Sequence, residues 1–196
     1  METKITDAFL FLRAWLSNPL QVAAIIPSNK ALAELVTRGI SNDTGKVIEL
    51  GPGTGIFTRA LLSRGVVEKD LMLFEFGDKF ANLLRTRFPD ARVLNICATC
   101  LNNMNYYKGE EKAGATVSGL PLVAISPEKV EAILKGTFEH MKDDGVLYQF
   151  TYRSRCPIPL ATLQKLKLEA FRIGGTKKNI PPASVYRIQR LTQGSA

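Results

Sequence analysis

At 196 residues, 45% of them hydrophobic, the chain has the length of one domain with a sizeable core. Its formal charge of +8 points to an anionic partner surface, nucleic acid or anionic lipid, or else to a basic enzyme that needs neither. No apolar run reaches the roughly 18 residues that span a bilayer, and the three cysteines beside a single histidine read as reduced thiols rather than a disulfide frame or zinc site.

In chain order, residues 5–17 predict an amphipathic helix. Ile5, Phe9, Leu12 and Leu16 share one face, widened by Ala8, Phe11 and Trp15, with Arg13 off it and Pro19 closing it. Arg13 also interrupts the apolar start, and no small-residue cleavage site follows, which argues against a secretory signal. Leu10 lies on the polar side, so two readings stand: a helix lying in a membrane interface, or one packed on the sheet. Ser28 is the predicted cap of a helix from Lys30 to about Arg38, ended by Gly39.

The chain is organised around residues 46–57. Val47-Ile48-Glu49-Leu50 reads as a short buried strand, Gly51-Pro52-Gly53-Thr54-Gly55 as a glycine-rich turn, and residues 57–64 as a helix. Strand, glycine turn and helix form the first half of a βαβ nucleotide site, with side chains removed where backbone must approach a ligand. Glu49 stands before the glycines, where a carboxylate repels a pyrophosphate and attracts an ammonium or sulfonium. This favours S-adenosylmethionine (SAM) over a dinucleotide. The alternative is a structural strand-turn-helix without ligand.

Leu71-Met72-Leu73-Phe74-Glu75 is a second strand ending in a carboxylate, and Glu75 lies about 20 residues after the last glycine, where such folds put an acid on the ribose hydroxyls. Phe76 either covers the adenine or joins the core. Asp78 is the predicted cap of a helix bearing Phe80, Leu83, Leu84 and Arg87. A third strand is expected over 92–96, an irregular crossover over 102–114, and a fourth strand over 115–121. Pro127 opens a helix to about Met141, Asp143-Asp144-Gly145 turns into a strand over 146–152, and a helix near 160–166 precedes two strands over 169–173 and 184–191. Alternating strands and helices with a terminal hairpin indicate an α/β sheet with an antiparallel edge.

Ligands of open α/β sheets sit beyond the carboxyl ends of the strands, so Glu49, Glu75, Cys97 and Ser118 are expected to line one crevice. The residues expected to hold the cofactor are Glu49, Gly51, Gly53, Thr54, Gly55, Glu75, Phe76, Cys97 and Ser118. On the acceptor side they are Ser118, Gly119, Pro121 and Tyr152; the turn Ser118-Gly119-Leu120-Pro121 offers a hydroxyl and backbone carbonyls to an amine. Tyr148 and Tyr152 either meet a cationic head group through their ring faces or belong to the core. Arg153 and Arg155 either bind a phosphate or form a solvated basic loop. His140, late in a helix, reads as structural or exposed, and no metal is expected.

Glu49-Leu50-Gly51-Pro52-Gly53-Thr54-Gly55 and Glu75 resemble the SAM motifs of class I methyltransferases. Phe11-Leu12-Arg13-Ala14-Trp15, Asn18-Pro19, Ile26-Pro27-Ser28-Asn29-Lys30-Ala31, Ser118-Gly119-Leu120-Pro121, Asn179-Ile180-Pro181-Pro182-Ala183 and Val185-Tyr186 narrow this. Together they resemble the soluble bacterial phospholipid N-methyltransferases, which methylate phosphatidylethanolamine towards phosphatidylcholine. The resemblance implies a Rossmann-like, mostly parallel seven-stranded sheet with a carboxyl-terminal antiparallel hairpin and helices on both faces. It implies SAM as cofactor with S-adenosylhomocysteine as product, a lipid head group as substrate, and an anionic phospholipid membrane as partner. The protein is then expected to be cytoplasmic and peripheral to the inner membrane face. Residues 1–40 form amino-terminal helices ahead of a methyltransferase domain over 41–196, in one compact unit. The chain is similar also to the ribosomal RNA adenine dimethyltransferases, which makes RNA the alternative partner. Their turn after strand four usually carries an aromatic; here Leu122 follows Pro121. One departure from class I is the stretch Asn95-Ile96-Cys97-Ala98-Thr99, which lacks the usual acid for the adenine amine, leaving that task to Cys97 or a backbone group, or else marking a non-catalytic module.

Overall fold

A computed structural model describes residues 29–103, 111–176 and 182–191. The predicted helix over 5–17, Ser28, and the segment Asn179 to Pro181 lie outside the described residues.

The sheet strands are β1 (Val47–Leu50), β2 (Leu71–Phe74), β3 (Arg92–Leu94), β4 (Ala113–Ser118), β5 (Met141–Thr151), β6 (Leu168–Thr176) and β7 (Ala183–Arg190). They form one seven-stranded sheet in the order β3-β2-β1-β4-β5-β7-β6. The pairs from β3 to β5 are parallel, and β7 joins β5 and β6 antiparallel. This is the expected Rossmann-like sheet with a terminal hairpin. β1 and β2 are buried throughout, as central parallel strands covered on both faces must be.

Three helices cover one face: α1 (Asn29–Val36), α2 (Ile56–Ser63) and α3 (Asp78–Arg87). Leu32, Leu35 and Val36 of α1, Leu61 of α2 and Leu84 of α3 pack there against Val47, Leu73, Val117 and Tyr148. On the other face Val130, Ile133, Leu134 and Phe138 of α4 (Pro127–Glu139) and Leu163 of α5 (Leu160–Lys165) pack against Ile48, Leu50, Phe74 and Leu147. Each strand feeds both cores because its side chains alternate across the sheet. Arg64 ties the first layer together, donating from Nε to Thr37 Oγ1 at 3.0 Å and from Nη2 to the Glu34 carbonyl at 3.0 Å. In the second, Arg190 donates to the carbonyls of Phe138, Lys142 and Asp143 at 2.6, 2.6 and 3.1 Å and lies over the Phe138 ring, supplying donors to the carboxyl end of α4.

Several local expectations change. Asp78 is the first residue of α3, with Gly77 at the cap position and no side-chain cap bond. β5 begins at Met141 rather than Val146, because Met141 pairs with Ala113 across a register shift, and Asp143-Asp144-Gly145 is absorbed into the strand. β4 stops at Ser118, since Gly119 leaves the ladder to donate to the Leu50 carbonyl at 2.8 Å. β3 ends at Leu94, two residues early, where Asn95 turns its side chain onto the neighbouring backbone.

Candidate active site at the switch in strand order

β1 leads to β2 on one side of the sheet and lies beside β4 on the other, so the strand order switches between β1 and β4. The crevice beyond a switch point is where α/β sheets bind ligands. Here it is framed by the glycine turn after β1 and the 118–121 turn after β4.

Gly51, Gly53 and Gly55 all take positive φ, at 67°, 55° and 78°. A Cβ on Gly51 would also lie 2.9 Å from Leu120 Cδ2. The turn therefore needs glycine twice over, for its backbone conformation and for its neighbour. Gly119 meets the same turn from the other side, where a Cβ would lie 2.7 Å from the Gly51 carbonyl oxygen. Two backbones thus form one wall of the crevice with no side chain between them. Thr54 presents its carbonyl outward to two guanidinium groups, Arg87 Nη1 at 2.8 Å and Arg59 Nη1 at 3.2 Å.

Both predicted carboxylates are at this end of the sheet, in different environments. Glu75 Oε2 accepts from the Gly53 N–H at 3.0 Å and Oε1 from the Gly77 N–H at 2.8 Å. Each oxygen keeps a lone pair for a ligand hydroxyl. Glu49 is buried beneath α2. Its Oε2 accepts from Thr58 Oγ1 at 2.7 Å, and its Oε1 has no partner among the described residues. Burial, and to a lesser degree the charge of Glu75, pushes the Glu49 carboxyl from 4.5 up to about 8, against the opposing hydrogen bond from Thr58. A buried acceptor without a donor, close to a second carboxylate, suits a cationic ligand group.

Phe76 is 76% exposed, so the core reading fails and the ring is free to cover a ligand. Cys97 is half-buried and accepts from the Thr99 hydroxyl at 3.1 Å. Ser118 is buried, and its Oγ accepts from the Leu120 N–H at 3.3 Å. Of the turn's carbonyls, Leu120's accepts from Leu122 N–H and Gln149 Nε2, and Pro121's from Ala124 N–H.

For Tyr148 and His140 the structure decides between the readings left open. Tyr148 is core: it packs with α1, its hydroxyl lies 3.5 Å from the Gly39 carbonyl, and it meets no head group there. His140 is buried, with Nδ1 2.7 Å from the Gly136 carbonyl at the end of α4. Tyr152 is half-buried past the end of β5, edge-on to Phe150, which is edge-on in turn to Phe57 of α2. Burial raises the Tyr152 phenol above its ordinary value, so it stays protonated at neutral pH. Arg153 and Arg155 are exposed beyond the same strand.

Sequence reasoning missed three residues. Thr58 holds Glu49. Asn95 donates from Nδ2 to the carbonyls of Glu75 and Phe76 at 3.0 and 3.1 Å, fixing the backbone that carries both. Gln149 follows Tyr148 within β5, and its signal is a polar residue inside a largely apolar strand.

No protein-family model matches the chain. It is 25% identical over 184 residues to the ornithine lipid N-methyltransferase of Singulisphaera acidiphila, covering 92% of this chain and 94% of that one. Among solved structures it is similar to a TehB-like SAM-dependent methyltransferase from Corynebacterium glutamicum, with a TM-score of 0.61 and 14% identity over 94% of this chain and 98% of that one. It is also similar to the magnesium protoporphyrin IX methyltransferase of Synechocystis solved with bound SAM, with a TM-score of 0.58 and 12% identity over 83% and 77%. An rRNA methylase from Streptococcus thermophilus gives a TM-score of 0.56 and 12% identity over 86% and 99%. The fold is that of the class I SAM-dependent methyltransferases. Fold, glycine turn and relative agree on a SAM-dependent methyltransferase. The residues present fit that cofactor: an open glycine backbone, a carboxylate after β2 with acceptor capacity to spare, and the unpartnered Oε1 of Glu49. No helix among the described residues is long and apolar enough to cross a membrane.

Proposed function

We propose that this methyltransferase N-methylates the primary amine of a membrane-lipid head group at the cytoplasmic face of an anionic membrane. The observation that carries the reading is the similarity, across nearly the full length of both chains, to a lipid N-methyltransferase. The motifs favour phosphatidylethanolamine as acceptor, and the relative's name supplies ornithine lipid; both present a primary amine at a membrane surface. The charge of +8 and the apolar face that the sequence predicts over 5–17 support peripheral attachment.

When bound, SAM supplies an electrophilic methyl on a sulfonium, and its loss leaves a neutral thioether. The chain's own task is alignment and exclusion of water. The glycine turn presents backbone without bulk, and Glu75 accepts from the two vicinal ribose hydroxyls. Glu49 offers its buried oxygen to the cofactor ammonium, and Phe76 covers the adenine. Cys97 stands where class I enzymes place an acid for the adenine amine, and Asn95 holds the 75–76 backbone beside it. Ser118, Gly119 and Pro121 shape the acceptor side, with Tyr152 beside it. Among the described residues Tyr152 is held protonated and His140 is buried at the end of α4, so neither takes the proton of the acceptor amine.

The deciding experiment is methyl transfer from labelled SAM to anionic vesicles containing phosphatidylethanolamine or ornithine lipid, with ribosomal RNA as a parallel acceptor. Label in the lipid phase, lost on Glu75→Ala and on deletion of residues 5–17, is the expected result. Label in RNA alone overturns the lipid reading and leaves adenine methylation in its place.

A further inference from the structure

Gln149 of β5 stands opposite Ser118 of β4 in the parallel ladder, at the carboxyl end of both strands. It is completely buried. Its Nε2 uses both hydrogens within the protein, donating to the Leu120 carbonyl at 2.9 Å and the Phe150 carbonyl at 2.7 Å. That arrangement fixes which end of the amide is the oxygen. Oε1 then has no donor among the described residues. A buried acceptor left unpaired costs free energy, and such exceptions ask for an explanation. The turn that Gln149 holds carries a second carbonyl, that of Gly119, which accepts none of the turn and loop backbone N–H bonds of the described residues.

We propose that Gln149 is a specificity-determining residue of the acceptor site, whose Oε1 accepts an N–H of the acceptor nitrogen. The inference rests on the lipid-amine reading above. A neutral primary amine poised for transfer directs its lone pair at the methyl and presents two N–H groups. Gln149 Oε1 and the Gly119 carbonyl take one each. Every methyl added replaces an N–H by a group that cannot be donated. The match therefore falls from two bonds to one to none as the nitrogen goes from primary to monomethyl to dimethyl. Gln149 makes the site favour less methylated acceptors, and its contribution disappears on the last step.

The test uses the full chain and vesicles carrying phosphatidylethanolamine, its monomethyl or its dimethyl derivative, with SAM affinity measured separately by calorimetry. In Gln149→Leu, kcat/KM is expected to fall about 30-fold on the primary amine, about 10-fold on the monomethyl amine and less than about twofold on the dimethyl amine, beyond any common factor that the SAM affinity accounts for. Gln149→Glu, which keeps acceptor oxygens, is expected to recover part of the loss on the primary amine alone. The wild-type protein gives a check that needs no variant: its own kcat/KM declines from primary to dimethyl acceptor. Equal losses on all three lipids, or a wild-type preference for the dimethyl lipid, would overturn the inference while leaving the lipid reading intact. A wild-type protein that methylates none of the three, nor ornithine lipid, while binding SAM sinks the lipid reading, and the inference with it.

Discussion

The two sides of the crevice are built by different means. The proposed cofactor side is local: Glu49 lies in β1, the glycine turn and Glu75 directly follow β1 and β2, and Glu75 reaches only 22 residues back to Gly53. The acceptor side depends on a side-chain amide from another strand holding the 118–121 turn from below, 29 residues away in sequence. A site made of backbone conformation is written in residue types. A site made of cross-strand side-chain bonds appears only once the strands are paired.

The comparison breaks most sharply at Glu75. Glu75→Ala removes the acceptor for both the Gly53 and Gly77 N–H groups together with the proposed ribose contact. We expect SAM affinity to fall by about 100-fold or more, read by calorimetry, because charged hydrogen-bond partners are lost from a buried position. Gly119→Ala attacks the shared wall. Its Cβ would press on the Gly51 carbonyl, so both SAM affinity and acceptor KM should worsen, with a stability loss of about 2 kcal/mol in denaturant melts.

Glu49 sharpens the comparison through pH. Its carboxyl in the folded protein is raised from 4.5 to about 8, so the folded state holds a proton that the unfolded state releases. The stability this provides is complete below about 4.5 and is lost as pH rises through about 8. The cofactor-free protein should therefore melt roughly 5 °C lower at pH 8.5 than at pH 6, and Glu49→Gln should largely abolish that difference. SAM affinity should show the opposite trend, tightening over the same interval in the wild type and staying flat in Glu49→Gln, since an ammonium prefers the ionised oxygen. The smallest effect is expected far from either ligand. Arg190→Met, which strips the donors from the end of α4, should cost about 1–2 kcal/mol of stability and leave both KM values unchanged.

The sequence made the sheet legible because Val47-Ile48-Glu49-Leu50, apolar but for Glu49, and Leu71-Met72-Leu73-Phe74 are short apolar runs followed by punctuation, and buried parallel strands look like that. It placed the glycine turn and Glu75 for the same local reason. It left Phe76, Tyr148 and Tyr152 undecided, because an aromatic at a strand end looks alike whether it meets solvent or a helix; only the position of α1 makes Tyr148 core. It misjudged the start of β5, since Asp143-Asp144-Gly145 reads as a turn wherever no partner strand is visible, and Ala113 is that partner. Thr58, Asn95 and Gln149 escaped because each acts on backbone or carboxylate groups whose nearness is tertiary.

The contact between Gly119 and Gly51 has a thermodynamic consequence. Cofactor binding that quiets the glycine turn also quiets the turn pressed against it, so the acceptor then meets a surface with less entropy left to lose. Such coupling is reciprocal: whatever factor SAM adds to acceptor affinity, the acceptor returns to SAM. If the acceptor is the proposed lipid amine, a surface crowded with it holds the protein in its cofactor-loaded form, and dilution of the amine releases the cofactor.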